Sequence, residues 1–174
     1  MKKFKEFLAE SSKQDLSVDF HLAGHFASGK STAVEKAQTS NNFSLIDLDE
    51  IFSELVKKYG KPKSTSTPEW ESKFKRLYTE KVLKAKKKNK PIVVVGHHWE
   101  GSHRIVDVDA KEKVYIDISK NKVFQQRKER DHKDKKLTDA YLEREYKSVQ
   151  NNLDKENYIK LPFNDIVKRL KELK

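Results

Sequence analysis

The sequence contains no cysteine, which excludes a disulfide framework, a thiolate metal site and a cysteine nucleophile. It has no run of about eighteen uncharged apolar residues, so no segment reads as a membrane span. Met1-Lys2-Lys3-Phe4-Lys5-Glu6 lacks the apolar core of a secretory leader. Together these absences predict a soluble protein of the reducing cytoplasm, with no membrane partner. There is no internal repeat and no linker-like stretch, and 174 residues bury one good core but are short for two. Residues 1–174 are therefore expected to form a single domain.

What the chain has in excess is positive charge: 38 Lys and Arg against 27 Asp and Glu, a net charge of +11 and a pI near 9.6. A basic surface concentrates polyanions and speeds their encounter, so nucleotides and nucleic acid both qualify as partners. The aromatic-interleaved basic motif of single-strand binders is absent. A lysine coat on solvated helix faces accounts for the charge equally well.

The hydrophobic pattern alternates between strand and helix periods. Residues 1–16 read as a short amphipathic helix carrying Phe4, Phe7 and Leu8. Val18-Asp19-Phe20-His21-Leu22-Ala23 reads as a strand running into Gly24, and a helix follows over 30–38. Phe43-Ser44-Leu45-Ile46-Asp47 is a second strand. Ile51, Phe52, Leu55 and Val56 recur at helical spacing and end at Gly60, a plausible C-cap. After a loop over 61–67, a long helix runs from Pro68 to the lysines at 86–88. Pro91-Ile92-Val93-Val94-Val95-Gly96 is the most strand-like segment and apolar enough to be buried on both faces. Val114-Tyr115-Ile116-Asp117-Ile118 is a further strand, followed by a highly charged helical stretch over 120–136. Thr138 caps a helix over 139–151, and residues 158–162 and 164–170 form a last strand and a closing amphipathic helix. Strands alternating with helices require parallel crossovers, so the expected fold class is a three-layer α/β/α sandwich on a five-stranded parallel sheet.

Gly24-His25-Phe26-Ala27-Ser28-Gly29-Lys30-Ser31 matches G-x-x-x-x-G-K-[ST], with a predicted strand before it and a helix after it. Such a loop turns successive backbone N–H groups inward as an anion nest, and the helix adds its positive end. Gly24, Ala27, Ser28, Gly29, Lys30, Ser31 and Thr32 are the expected contacts to the phosphates of ATP or GTP. Lys30 is suited to the β- and γ-phosphates, and the Ser31 hydroxyl to Mg²⁺. The second strand then runs into Asp47-Leu48-Asp49-Glu50 at the end where open α/β sheets bind ligands. Alternation puts Asp47 and Asp49 on one side of a strand, one to orient Mg²⁺ and its water and the other to accept a hydroxyl proton. Alternatively, Asp49 merely caps the next helix.

With these motifs the chain resembles the small P-loop kinases, the group that includes nucleoside monophosphate kinases, shikimate kinase and gluconate kinase. The resemblance spans nearly the whole sequence: the loop at 24–31, Asp47-x-Asp49, a third strand ending in Gly96, and an Arg-bearing segment after the fourth. It implies ATP- and Mg²⁺-dependent phosphoryl transfer, with Asp47 serving the metal and Asp49 the acceptor hydroxyl. It also implies a short helical lid over 120–136, whose arginines clamp the transferring group. Arg127 and Arg130, three apart, share a helix face and could converge on phosphate oxygens; a solvated helix laced with ion pairs is the alternative.

The chain departs from the family at Gly96-His97-His98-Trp99-Glu100-Gly101-Ser102-His103-Arg104, where nucleoside monophosphate kinases carry Asp-Gly-x-Pro-Arg. Trp99 is available there to stack on a ring, and Glu100 or Arg104 to fix polar groups, so with Asp49 these are the candidate acceptor contacts. The three histidines lack the spacing of a helical zinc site and read as polar loop residues. A nucleoside or nucleotide is the expected acceptor. A polynucleotide 5′-hydroxyl end, or a P-loop regulator or NTPase with no small-molecule acceptor, stays open.

Overall fold

The computed structural model describes residues 15–38, 42–62, 64–65, 67–97, 99–100, 103–133 and 137–173, with only the backbone at Trp99, Glu100, His103 and Arg104. The helix expected from residue 1 falls outside the described residues.

The first strand, β1 (Val18–Ala23), lies at the centre of the sheet. It pairs in parallel with β3 (Ile92–Val95) on one side and β6 (Ala110–Ile116) on the other. The edges are β2 (Ser44–Asp47), next to β3, and β7 (Ile159–Leu161), next to β6. All four pairings in this five-stranded sheet are parallel, as buried strands of Val, Ile and Phe with helical crossovers require. An antiparallel ribbon of β4 (Trp99–Glu100) and β5 (His103–Arg104) stands apart from it; the sequence reading treated this stretch as loop.

Helices cover both faces. Phe20, Leu22, Val93, Val95, Val114 and Ile116 point to one side, where α1 (Lys30–Ala37) and α6 (Phe163–Glu172) bring Ala33, Val34, Ala37, Ile166 and Leu170. Ile46, Ile92 and Val94 point to the other, against α2 (Leu48–Tyr59) and α3 (Pro68–Lys86) through Ile51, Leu55, Phe74, Tyr78 and Val82. On that same face Ala23 and Tyr115 meet Val149 and Leu153 of α5 (Asp139–Lys155). The remaining helix, α4 (Lys120–Arg130), buries only Val123. Among the described residues no helix is long and apolar enough to cross a membrane.

Local chemistry explains most boundaries. The hydroxyls of Thr67, Ser119 and Thr138 accept from the amides of Trp70, Lys122 and Tyr141 at the starts of α3, α4 and α5. Three expectations need correction. The fourth strand of the reading begins at Ala110, because its charged stretch Lys111-Glu112-Lys113 still pairs with β1 by backbone. The charged helix stops at Arg130, with residues 131–133 in a turn and 134–136 outside the described residues. The next helix continues to Lys155, held by the burial of Asn152 and Leu153.

Two glycines show how tightly the sheet end is drawn. Gly60 ends α2 with φ +81°, and a methyl group there would meet nothing within 4 Å. Gly96, leaving β3 with φ +108°, would set a Cβ 3.1 Å from the Cβ of Leu48. Both positions disfavour a side chain, but only Gly96 also lacks space. Gly96→Ala is therefore expected to cost well over about 1 kcal/mol and more than Gly60→Ala, as measured by urea unfolding of the two variants.

Candidate functional site

Between β1 and α1 the backbone takes positive φ at Gly24 (+125°), Ala27 (+56°) and Gly29 (+91°). Such turns gather N–H groups into an anion-binding concavity. Ala27 holds a left-handed conformation despite its methyl group, which costs roughly 1–2 kcal/mol; strain of this kind clusters at ligand sites. No side chain caps α1 at Gly29, and its first turn contains no acidic residue. Its positive end thus lacks a side-chain partner. The buried Ser28 Oγ likewise finds no hydrogen-bond partner among the described residues.

This loop forms the floor of a cleft of about 600 Å³, lined by residues 26–32, Asp47, Asp49, Val95, Gly96, Gln126, Glu129 and Arg130. Ala27, Ser28, Gly29, Lys30, Ser31 and Thr32, the expected phosphate contacts, all line this cleft. Gly24 is not among the residues lining the cleft; its carbonyl accepts a hydrogen bond from Lys30 Nζ (3.2 Å), and the His25 carbonyl accepts another (2.7 Å). Burial lowers the Lys30 ammonium to a pKa of about 8; Asp49 and Asp47 oppose the shift and Arg130 adds to it.

The two carboxylates are positioned differently from the expectation. The strand ends at Asp47 and Leu48 already begins α2, so strand alternation does not relate Asp47 to Asp49. Asp47 is the N-cap, its Oδ1 accepting from the Asp49 amide at 2.8 Å, whereas Asp49 sits in the first helical turn. The capping role weighed for Asp49 therefore belongs to Asp47. Burial raises the Asp47 carboxyl above its ordinary pKa, the neighbouring Asp49 adding to the effect against the Asp49 and Glu50 amides. Asp47, Asp49 and the Ser31 hydroxyl offer a hard-oxygen donor set facing Lys30 and Arg130, which fits Mg²⁺.

The arginines separate. Arg130 lines the cleft. Arg127 turns to the back of the phosphate loop, its guanidinium 4.7 Å from the centre of the Phe26 ring, with Asp131 at 2.5 Å and Glu145 of α5 at 3.9 Å. A shared helix face thus did not bring both to the cleft, because Glu145 and the aromatic ring hold Arg127. The groups that accompany Arg130 are Gln126 and Glu129, and the spacing of Gln126 from Arg130, i to i+4, was the available signal. Gln126 Oε1 is buried with no hydrogen-bond partner among the described residues.

Sequence reasoning also passed over the variable positions of the loop. His25 stacks on Tyr146 of α5 (4.0 Å between centroids, 3° between planes) and bonds Gln150 Oε1 at 3.2 Å. Burial lowers its pKa to about 4, so it is neutral near pH 7. Phe26 contacts the His97 ring edge-on at 4.5 Å, joining the loop to the segment that leads into β4. The side chains of Trp99, Glu100 and Arg104 lie outside the described residues, as does His98. A larger hollow of about 680 Å³ between α2 and α3 contains none of the phosphate-loop residues.

No family model matches the chain, and no curated protein matches its sequence. Solved structures do match. A shikimate kinase from Aquifex aeolicus vf5 is 23% identical with a TM-score of 0.51, covering 88% of this chain and 93% of that one. A gluconokinase from Sinorhizobium meliloti 1021 is 13% identical (TM-score 0.50; 90% and 91% covered). A shikimate kinase from Acinetobacter baumannii in complex with shikimate is 15% identical (TM-score 0.50; 92% and 94%). The fold is that of the small P-loop kinases.

The lowered pKa of Lys30 gives a pH signature. The folded state holds this proton less tightly than the unfolded chain, so between about pH 8 and the ordinary lysine value of 10.5 the unfolded state binds more protons. Stability contributed through Lys30 therefore rises with pH across that window. The unfolding free energy of the nucleotide-free wild type, minus that of Lys30→Met, is expected to increase from pH 8 to pH 10 in parallel denaturant titrations.

Proposed function

We propose that the chain transfers the γ-phosphoryl group of ATP to an oxygen of a small acceptor, a nucleoside or nucleotide. The observation that carries this reading is that a helix end without a side-chain cap, Lys30, Arg130 and two carboxylates share one cleft. Phosphoryl transfer needs donors aimed at phosphate oxygens and a group that takes the acceptor's proton, with little covalent chemistry from the protein. The acceptor class rests on the net charge of +11 and the aromatic residue at position 99.

In this reading the loop amides and Lys30 hold the β- and γ-phosphates. Lys30 exchanges the carbonyls of Gly24 and His25 for phosphate oxygens, which favours its charged form. Ser31 and Asp47 would hold Mg²⁺, and the bound ion supplies neutralisation of charge on the phosphate oxygens. The acceptor oxygen forms a bond to the γ-phosphorus, the bond to the β–γ bridging oxygen breaks, and ADP leaves. With a hydroxyl acceptor, Asp49 takes its proton. Arg130 stabilises charge on the transferring group. Arg127 joins it only if the lid rearranges, since it is engaged with Glu145 and Phe26.

Labelled ATP incubated with nucleosides, nucleotides, sugars and 5′-hydroxyl oligonucleotides tests the reading. Label is expected in a nucleoside or nucleotide. Label in the oligonucleotide alone would make the protein a polynucleotide kinase, and release of inorganic phosphate unaffected by any acceptor would favour a nucleotide-driven switch.

Two variants sharpen the test. Lys30→Ala is expected to abolish transfer while keeping the fold, by calorimetry and circular dichroism. Asp49→Asn should lower turnover about 100-fold or more, leaving the ATP dissociation constant nearly unchanged and stability within about 0.5 kcal/mol. Asp47→Ala, in contrast, should lose the roughly 0.5–2 kcal/mol of a helix cap and raise the Mg²⁺ requirement.

A further inference from the structure

Polar side chains on a central strand of an α/β sheet need a specific partner to be buried, and His21 in β1 is fully buried. Its Nε2 lies 3.0 Å from the Gly96 carbonyl and its Nδ1 2.6 Å from the Tyr158 hydroxyl. A carbonyl only accepts, so Nε2 carries the proton, and Nδ1 of the neutral ring accepts from Tyr158. The Tyr158 amide is bonded to Leu153 O at the end of α5, and its ring meets His21 edge-on at 5.4 Å.

Gly96 is the other end of the link. In an uninterrupted parallel ladder its carbonyl would be taken by a backbone amide of the neighbouring strand. The turn at φ +108° draws it away, and the His21 ring substitutes. The Gly96 amide meanwhile donates to Leu22 O at 3.1 Å. Both backbone polar groups of Gly96 are therefore held by adjacent residues of β1, just before that strand becomes the phosphate loop. The next residue, His97, contacts Phe26 of that loop, and the chain then enters the β4–β5 ribbon.

We infer that His21, backed by Tyr158, is a positioning residue that anchors the exit of β3, and hence the β4–β5 ribbon, to the phosphate loop. It touches no substrate. Resting on the phosphoryl-transfer reading above, the inference assigns it the alignment of the acceptor side with the nucleotide side. Proximity of this kind is worth large factors in rate, and a buried carbonyl that loses its donor becomes costly.

Amide hydrogen exchange at His97, Glu100 and Arg104 is measured without ligand, together with acceptor KM, kcat and the Kd of a non-hydrolysable ATP analogue. In His21→Leu, exchange is expected to quicken about tenfold or more, the equivalent of one lost buried hydrogen bond. Acceptor KM should rise or kcat fall by a similar factor, while the analogue Kd stays within about twofold. His21→Gln, which retains an N–H donor, should recover most of both effects. Tyr158→Phe should show the same changes in smaller degree, and it keeps the test decisive if His21→Leu does not fold. Wild-type exchange and kinetics in a folded His21→Leu or Tyr158→Phe variant would overturn the inference, whatever the loss in Tm. Absence of transfer in the wild type to any acceptor would overturn the phosphoryl-transfer reading, while the exchange data would still decide the anchoring.

Discussion

Everything at the cleft depends on the register of three parallel strands. Phe20 lies opposite Val93 and Leu22 opposite Val95, while Ile46 lies opposite Val94 and Asp47 opposite Val95. A shift of one residue would turn Phe20 and Leu22, both without solvent exposure, away from the helices that cover them. Because these side chains are large and wholly buried, the register is strongly specified, and the three strand ends arrive level. Leu48 and Gly96 then meet, so that the loop after β1, the two carboxylates and the segment that leaves β3 share the carboxyl end of the sheet.

That convergence creates an electrostatic problem, because the cations gathered in the cleft must be tolerated while it is empty. Lys30 is accommodated by two backbone carbonyls and by facing Asp47 and Asp49, yet its ammonium is still disfavoured. Arg130 leans on Asp131, whose carboxyl it holds below the usual range. Arg127 is withdrawn behind Phe26 and paired with acids on two sides. Cations arranged in this way have more to gain from a polyanion than from water.

The layered architecture and the phosphate loop were legible because both rest on short-range signals: apolar runs at the strand period, the glycine spacing, and Thr or Ser at helix starts. What was not legible depends on distant partners. The onset of β6 at Ala110 is decided by pairing with Val18 far away in sequence. Whether Arg127 or Arg130 faces the cleft is decided by Glu145 on another helix. Asp47 and Asp49 were found as a pair, but the local backbone, strand to one and helix from the next residue, exchanged their structural roles. His21 reads in sequence as an ordinary polar interruption of a strand; its importance appears only once Gly96 and Tyr158, remote in sequence, close around it.

The central claim is that this cleft receives the phosphates of a nucleotide at Lys30. It is tested most directly by following the Lys30 side-chain nitrogen by NMR across a pH titration, without ligand and with a saturating non-hydrolysable ATP analogue. The account predicts an ammonium that titrates near pH 8 in the empty protein and shifts well upward when phosphate oxygens replace the loop carbonyls. A titration unmoved by the analogue would contradict it.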